Sequence, residues 1–242
     1  GFGLGPTIGA TIGGLATALL FGTALSPSSD FYVRPIRRGD RNSRRVALTF
    51  DDGPDPIRTP QVLEALAESG ARATFFMIGR RVAEHASLVR RVIDEGHEVG
   101  DHSFSHARTL PFGTWDRQLR EIEDGRRALL GAGVPFVRWF RPPMGLATPA
   151  LAMALERSTL RAVNWSIHSR DLGDPHAERI ASRVLGRIGG GDIVLLHDGS
   201  DRHGSGPEAL PAALRRILTG LRDRGLEPVT LSSLLSPTES TR

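Results

Sequence analysis

Two carboxylates stand side by side in "TFDDGP", where Asp51 and Asp52 follow a short apolar run and precede the turn formers Gly53 and Pro54. Adjacent acids repel, so the pair is either a solvated turn or a place where chemistry uses both. Other positions bear on the choice. His102 and His106 lie in "HSFSH", and in a helix their spacing would put both imidazoles on one face. Arg141 opens "RPPMG", and His197 follows the apolar residues of "LLHD". Two neutral imidazoles and one carboxylate make a three-ligand set for a divalent ion, with positions left for water and substrate. The second carboxylate is then available as general base on that water. A cation there also relieves the repulsion between the acids.

Such residues need a scaffold that gathers them, and the alternation of the chain supplies one. Strand-like runs are "VALTF", "ATFFMIG", "HEVGDH", "FVRWFRPP", "LRAVNWSI", "GDIVLLHDG" and a last one near "EPVTLSSLL". Between them lie helical stretches. "TPQVLEALAESG" offers Thr59 as N-cap and Pro60 at the first helical position. "RRVAEHASLVRRVIDEG" reads as one helix stopped by Gly96. "TWDRQLREIEDGRRALLGAG", "TPALAMALERS", "PHAERIASRVLGRI" and "LPAALRRILTGLRDRG" complete the set. About seven βα units without repeat or break predict one α/β domain on a parallel sheet. A closed barrel and an open doubly wound sheet both fit, and no G-x-G-x-x-G follows the first strand. Ionisable groups collect after the strands, at one rim, where a barrel carries its function. The opposite loops, such as "ESGARA" and "RDRGLEP", hold turn residues and surface charge.

"TFDDGP", "HSFSH", "RPPMG" and "LLHD", in that order, resemble the signature motifs of the polysaccharide deacetylases of carbohydrate esterase family four, the NodB-homology domain, over about Arg45 to Leu235. The resemblance implies a distorted (β/α)7 barrel that hydrolyses N-acetyl groups of amino sugars. It implies Asp51 as general base, with Asp52, His102 and His106 holding one divalent ion, usually zinc, with cobalt or nickel as alternatives. Arg141 would orient Asp51, and the Met144 N–H would help hold the oxyanion. Leu195 would line the acetyl pocket, His197 would be the general acid, and Pro143 and Trp165 would join Met144 and Leu195 at the substrate. The chain departs from the family pattern at Met144, where a tyrosine is usual, and in "HSRDL" (168–172), where an Asp-x-x-Asp/Ser-Trp pattern is usual. His168 replaces the acid expected to hold Arg141, which leaves two alternatives: Asp171 substitutes for it, or His168 itself couples differently. Asp101 and Asp198 are candidate orienting partners beside the ligands and the acid. His85, His97, His176 and His203 read as surface or structural residues.

The bulk composition is that of a globular protein, and the lack of cysteine removes disulfides and thiolate metal sites. A formal charge of only +4, with no arginine-and-aromatic array, gives no sign of nucleic-acid binding. Residues 1–29 carry no charge and are long enough to span a bilayer as a helix, so they are expected to form a membrane anchor or signal-like helix. Residues 30–44 read as an exposed basic linker, 45–236 as the deacetylase-like domain and 237–242 as a tail. A glycan substrate would place the domain outside the membrane, although arginines after an anchor favour the inside. The "GSDRHGSG" loop (199–206) is expected at the functional rim. Two rival readings are a related barrel amidohydrolase acting on a small cyclic amide, and a glycan-binding barrel that has lost catalysis.

Overall fold

The computed structural model describes residues 32–200 and 208–236. In chain order the elements are β1 (Arg45–Gly53), α1 (Arg58–Glu68), β2 (Thr74–Met77), α2 (Gly79–Glu84), α3 (Ala86–Asp94), β3 (Glu98–Asp101), α4 (Trp115–Gly131) and β4 (Trp139–Phe140). They continue with α5 (Pro149–Ser158), β5 (Arg161–Ala162), β6 (Ile167–His168), α6 (Ala177–Leu185), β7 (Ile193–His197), α7 (Leu210–Asp223), β8 (Glu227–Val229) and α8 (Leu231–Leu235). These strands pair in parallel, in the order β5-β4-β3-β2-β1-β7-β6, with β8 beside the first residues of β1.

β5 and β6 are neighbours in sequence yet occupy opposite edges of the sheet. Seven strands laid flat at the usual spacing would put those edges about 29 Å apart. The peptide steps from Ala162 to Ile167 reach at most about 18 Å. The sheet therefore curls into a half-barrel, with β5 and β6 unpaired to each other. This is the α/β parallel sheet the alternation predicts, though not a barrel closed by strand pairing. It has eight strands because "LRAVNWSI" supplies two short ones across the seam.

Part of the upstream stretch covers that seam. Ile36 bridges Val163, Arg38 bridges Asp192, and the Arg38 guanidinium meets the Asp192 carboxylate at 2.8 Å. The Ile36 N–H donates to the Ala162 carbonyl at 2.9 Å, and the Asn164 N–H donates to the Ile36 carbonyl at 2.8 Å. The stretch expected to be an exposed linker is thus docked at 36–39, because sheet edges carry unpaired backbone groups that it satisfies. The apolar segment 1–29, the tail 237–242 and most of the 199–206 loop lie outside the described residues. No helix among the described residues is long and apolar enough to cross a membrane.

Strand side chains alternate between faces, which sorts the interior into two cores. Val46, Leu48, Phe50, Phe75, Val194 and Leu196 pack with the helices. Ala47, Phe76, Trp139, Val163 and Ile193 fill the inside of the curl, with Leu231 and Leu234 of α8. Thr49 and Asp51 share the inner face with Ala47, as Leu195 and His197 share it with Ile193. The apolar floor therefore gives way to polar groups at the C-terminal ends of the strands.

Three local expectations change. Thr59 is not the N-cap of α1. The Asp55 carboxylate accepts the N–H groups of Ile57 and Arg58 (3.0 and 2.8 Å), and Thr59 lies inside the first turn. The single helix expected over 80–96 is two, α2 and α3, because His85 leaves the helical region at φ −130°, ψ 40°. Val82, Val89 and Val92 keep a helical spacing through the corner, so periodicity alone does not reveal it. After β8 the chain turns into α8, capped by the Thr230 side chain, instead of continuing as a strand.

Candidate active site

Alternation along β1 would send Asp51 and Asp52 to opposite faces of the sheet. It does not, because β1 bulges between Asp51 and Gly53 and Asp52 adopts a left-handed backbone at φ 72°. A bulge re-aims the side chain beside it, and both acids line one cavity of about 620 Å³. The bulge leaves no room on its far side. A Cβ on Gly53 would fall 2.4 Å from a carboxylate oxygen of Asp198, so glycine is required there. Asp198 itself is buried, takes a hydrogen bond from the Thr59 hydroxyl at 2.5 Å, and is pushed by burial to a pKa of about 7.

His102 and His106 meet without a helix. They sit on a loop with positive φ at Ser103 and His106, so helical spacing is not what unites them. The Glu121 carboxylate of α4 holds this loop, accepting the Ser105 N–H (2.8 Å) and hydroxyl (2.7 Å). The ring centroids of the two histidines are 4.8 Å apart. The Asp52 Oδ1 lies 3.6 Å from His102 Nε2 and 3.4 Å from His106 Nε2, and it is buried with no hydrogen-bond partner. Those gaps are too long for hydrogen bonds. Donors about 2.0–2.1 Å from a tetrahedral ion stand roughly 3.4 Å from one another, so the gaps match ligands around a shared ion. His102 Nδ1 lies 2.8 Å from the Arg141 carbonyl, which fixes the proton there and leaves the Nε2 lone pair facing Asp52. Burial, then neighbouring His106, pushes the His102 pKa down to about 3, keeping the ring in the neutral form a ligand needs. Asp52, His102 and His106 fit a divalent ion.

Asp51 is the acid with a different partner. Arg141, fully buried, donates from Nη1 to Asp51 Oδ1 at 2.7 Å and to the Thr49 hydroxyl at 2.8 Å. Its other donors reach the carbonyls of Val163 (3.2 Å) and Asn164 (3.1 Å), and its guanidinium lies over the Phe76 ring at 4.1 Å. Neither Asp171 nor His168 holds it, contrary to expectation. Carbonyls of the β5–β6 crossover, turned inward below the site, take the place of a carboxylate.

Asp171 instead holds His197. Its Oδ1 accepts the ring Nδ1–H at 2.9 Å, and its Oδ2 accepts the His197 backbone N–H at 2.8 Å. Burial opposes charge on His197, but the charge and hydrogen bond of Asp171, with Asp51 and Asp52 adding, raise its pKa to about 9. Burial likewise opposes charge on Asp171, and His197 with the Ser169 hydroxyl holds its carboxyl below the usual range. Asp51 and His197 are partners across the β1–β7 ladder, which places the candidate base beside the candidate acid.

The cavity is also lined by Met144, Trp165, His168, Leu172 and Leu195. Met144 takes a left-handed backbone at φ 59°, and its side chain is half-exposed. Pro143 is not on this wall. It is buried in the 3₁₀ turn of 143–145 and lines a separate small cavity with Leu110, Pro111 and Phe140. His168 Nδ1 accepts the Arg170 N–H at 3.0 Å, so its neutral ring carries the proton on Nε2. That ring stands edge-on to Trp165 and 6.2 Å from the His197 ring. Asp101 falls on the helix side of β3 by alternation. Its carboxyl packs against Gly125, and burial raises its pKa well above the carboxylate range, so it does not orient His102.

Sequence reasoning missed Arg81, whose Nη1 donates to the Asp52 carbonyl at 2.6 Å, and the wall residues Arg108 and Leu172. Arg81 looks like any arginine on a short helix, and no signal in its own segment marks it. Thr59 was visible only as a cap. His97 is structural, as expected, accepting the Ala73 N–H at 3.2 Å.

Residues 38–163 match the sequence model described as polysaccharide deacetylase. Over 203 residues, 80% of this chain and 89% of the relative, the chain is 40% identical to a peptidoglycan-N-acetylglucosamine deacetylase of Bacillus cereus. It is 35% identical to a chitooligosaccharide deacetylase of Sinorhizobium fredii over 80% of this chain and 93% of that one. Among solved structures, a peptidoglycan N-acetylglucosamine deacetylase bound to an N-oxidanyl-benzamide superposes with a TM-score of 0.77 at 31% identity, covering 83% of this chain and 92% of that one. With motifs, fold and matched sequence in agreement, this chain belongs to the polysaccharide deacetylase family.

Proposed function

We propose that this chain is a metal-dependent hydrolase that removes N-acetyl groups from amino sugars of a cell-envelope or extracellular glycan. One observation carries the reading. Asp52, His102 and His106 converge as ligands, while Asp51 and His197 stand beside them, each held by a partner of its own. The family relatives, named for peptidoglycan and chitooligosaccharide deacetylation, support the same substrate class.

A divalent ion bound by Asp52, His102 and His106, for which we propose zinc, supplies a Lewis acid that polarises the acetyl carbonyl and acidifies water. Asp51 takes the proton of the attacking water, and Arg141 keeps that carboxylate oriented. The Met144 N–H helps hold the oxyanion. Leu195 lines the acetyl methyl pocket, and Trp165 forms part of the sugar wall. His197 delivers a proton to the departing amine, which would otherwise be a poor leaving group. Its raised pKa keeps it protonated at neutral pH, and Asp171 fixes the ring for transfer. A barrel that only bound glycan would have no need of a buried base and a buried acid held by separate partners.

We place the catalytic domain outside the membrane on the strength of the glycan substrate, and a reporter fused at Arg242 tests that placement. Acetate release from a panel of N-acetylated glycans, with chelator and metal add-back, tests the activity. Release that stops with chelator and returns with zinc, cobalt or nickel is expected. No release from any N-acetylated sugar overturns the reading, and turnover of small cyclic amides alone would favour the rival amidohydrolase.

A further inference from the structure

We infer that Arg81 is a positioning residue for the metal ligands, the one side chain in a bracket that joins the loops carrying all three. The inference rests on the metal-dependent reading above. The bracket is the corner where β2 becomes α2. The Ile78 N–H donates to the Gly53 carbonyl at 2.9 Å, just after the acids. The Gly79 and Arg80 N–H groups donate to the Ser103 and Phe104 carbonyls, each at 3.0 Å, within the loop of His102 and His106. These contacts are backbone and indifferent to side-chain identity. Arg81 adds the remaining link. Its Nη1 donates to the Asp52 carbonyl at 2.6 Å and its Nη2 to the Ser200 carbonyl, in the turn that follows His197.

The arrangement suits arginine and little else. A planar fork spans two carbonyls from different loops, whereas the lysine ammonium is a single point. The packing is close enough to dictate a neighbour. A Cβ on Gly199 would lie 2.2 Å from the Asp52 carbonyl oxygen and 2.7 Å from Arg81 Nη1. Asp52 holds a left-handed backbone that non-glycine residues disfavour, and a strained residue persists only where its surroundings over-determine it. The Arg81 hydrogen bond falls on the peptide that sets that conformation, and hence on the direction of the carboxylate.

Zinc affinity of the metal-free protein, measured by competition with a chromophoric chelator, tests the idea. Arg81→Met should weaken zinc binding about 10- to 100-fold, the usual effect of losing an outer partner of a ligand. Arg81→Lys should fall between Met and wild type, and Gly199→Ala should also weaken binding by displacing the Asp52 carbonyl. Arg80→Met, on the exposed neighbour, should bind zinc as the wild type does. Thermal melting of the same metal-free proteins separates positioning from folding. A purely structural role lowers the melting temperature without changing zinc affinity in the folded fraction. Wild-type affinity in folded Arg81→Met, or in Arg81→Lys and Gly199→Ala where Met prevents folding, overturns the inference. Absence of zinc binding by the wild type would instead strike the metal reading itself.

Discussion

Asp171 grips His197 at two points, taking the ring Nδ1–H on one carboxylate oxygen and the backbone N–H on the other, at 2.9 and 2.8 Å. The ring therefore cannot rotate without breaking a charged hydrogen bond. In the proposed mechanism His197 works as an acid only while protonated, so the rate should fall as pH rises through its pKa, which is raised to about 9. Asp171→Asn removes the charge and the tautomer control together. Its pH–rate profile should lose the alkaline side, with the falling limb moved toward lower pH, and kcat should drop at least about tenfold. An unmoved limb would sink the acid assignment. The same pair has a stability signature. The raised His197 pKa contributes stability that is fully present below the unfolded value near 6.5 and is lost as pH rises through about 9. Urea unfolding across that window should show the loss in wild type and little of it in Asp171→Asn.

Zinc should stabilise the folded protein by mass action, about 2.7 kcal/mol at a concentration one hundred times Kd. Differential scanning calorimetry with and without chelator measures it. His102→Ala and His106→Ala should lose most of the zinc-induced rise in melting temperature along with acetate release.

Arg141 and Asp51 are both buried, and breaking such a pair leaves a charge without compensation. Arg141→Met should destabilise the protein by about 3–5 kcal/mol in urea unfolding and abolish turnover. Arg141→Lys keeps the charge but cannot reach Asp51, Thr49 and two carbonyls at once. It should recover part of the stability and little of the activity.

The His168 ring lies 6.2 Å from the His197 ring, and the hydrogen bonds of Arg141 go to Asp51, Thr49, Val163 and Asn164 instead of His168. His168→Asp places a negative charge about one ring away from His197, 6.2 Å between centroids in the wild type. It should move the alkaline limb of the pH–rate profile upward by more than it moves the acidic limb, because His197 acts on this position more strongly than Asp51 does. A larger movement of the acidic limb than of the alkaline one would instead tie this position to the Asp51–Arg141 pair.

His97 is buried neutral, with burial as the main cause and Arg72 adding, and its pKa is lowered to about 4. The unfolded chain takes up that proton near 6.5, so stability should decline as pH falls from 6.5 toward 4. His97→Asn, which can still accept the Ala73 N–H, should flatten that part of the stability profile.

Much of this molecule is legible in its sequence because strand, helix and turn periods repeat along it. Parallel α/β order, the rim that carries function, and the set of Asp51, Asp52, His102, His106, Arg141 and His197 follow from residue types and their positions after strands. What escapes is contact between distant segments. Nothing local to Asp171 says that it faces His197 and not Arg141, since both lie at the same rim. The Asp55 cap and the His85 corner escape because neighbouring residues offered an equally good local pattern. Pro143 was assigned by its place in a motif, and the tight turn at Met144 sends adjacent residues to different sides of the wall.

The docked upstream segment has a consequence for where the catalytic unit begins. Asn164 receives Arg141 on its carbonyl while giving its own N–H to Ile36, so only a short relay separates Ile36 from Asp51. A boundary drawn at Arg45 would cut away one end of that relay and bare the apolar floor beneath it. The smallest unit that keeps this hydrogen-bonded relay whole starts upstream of Ile36.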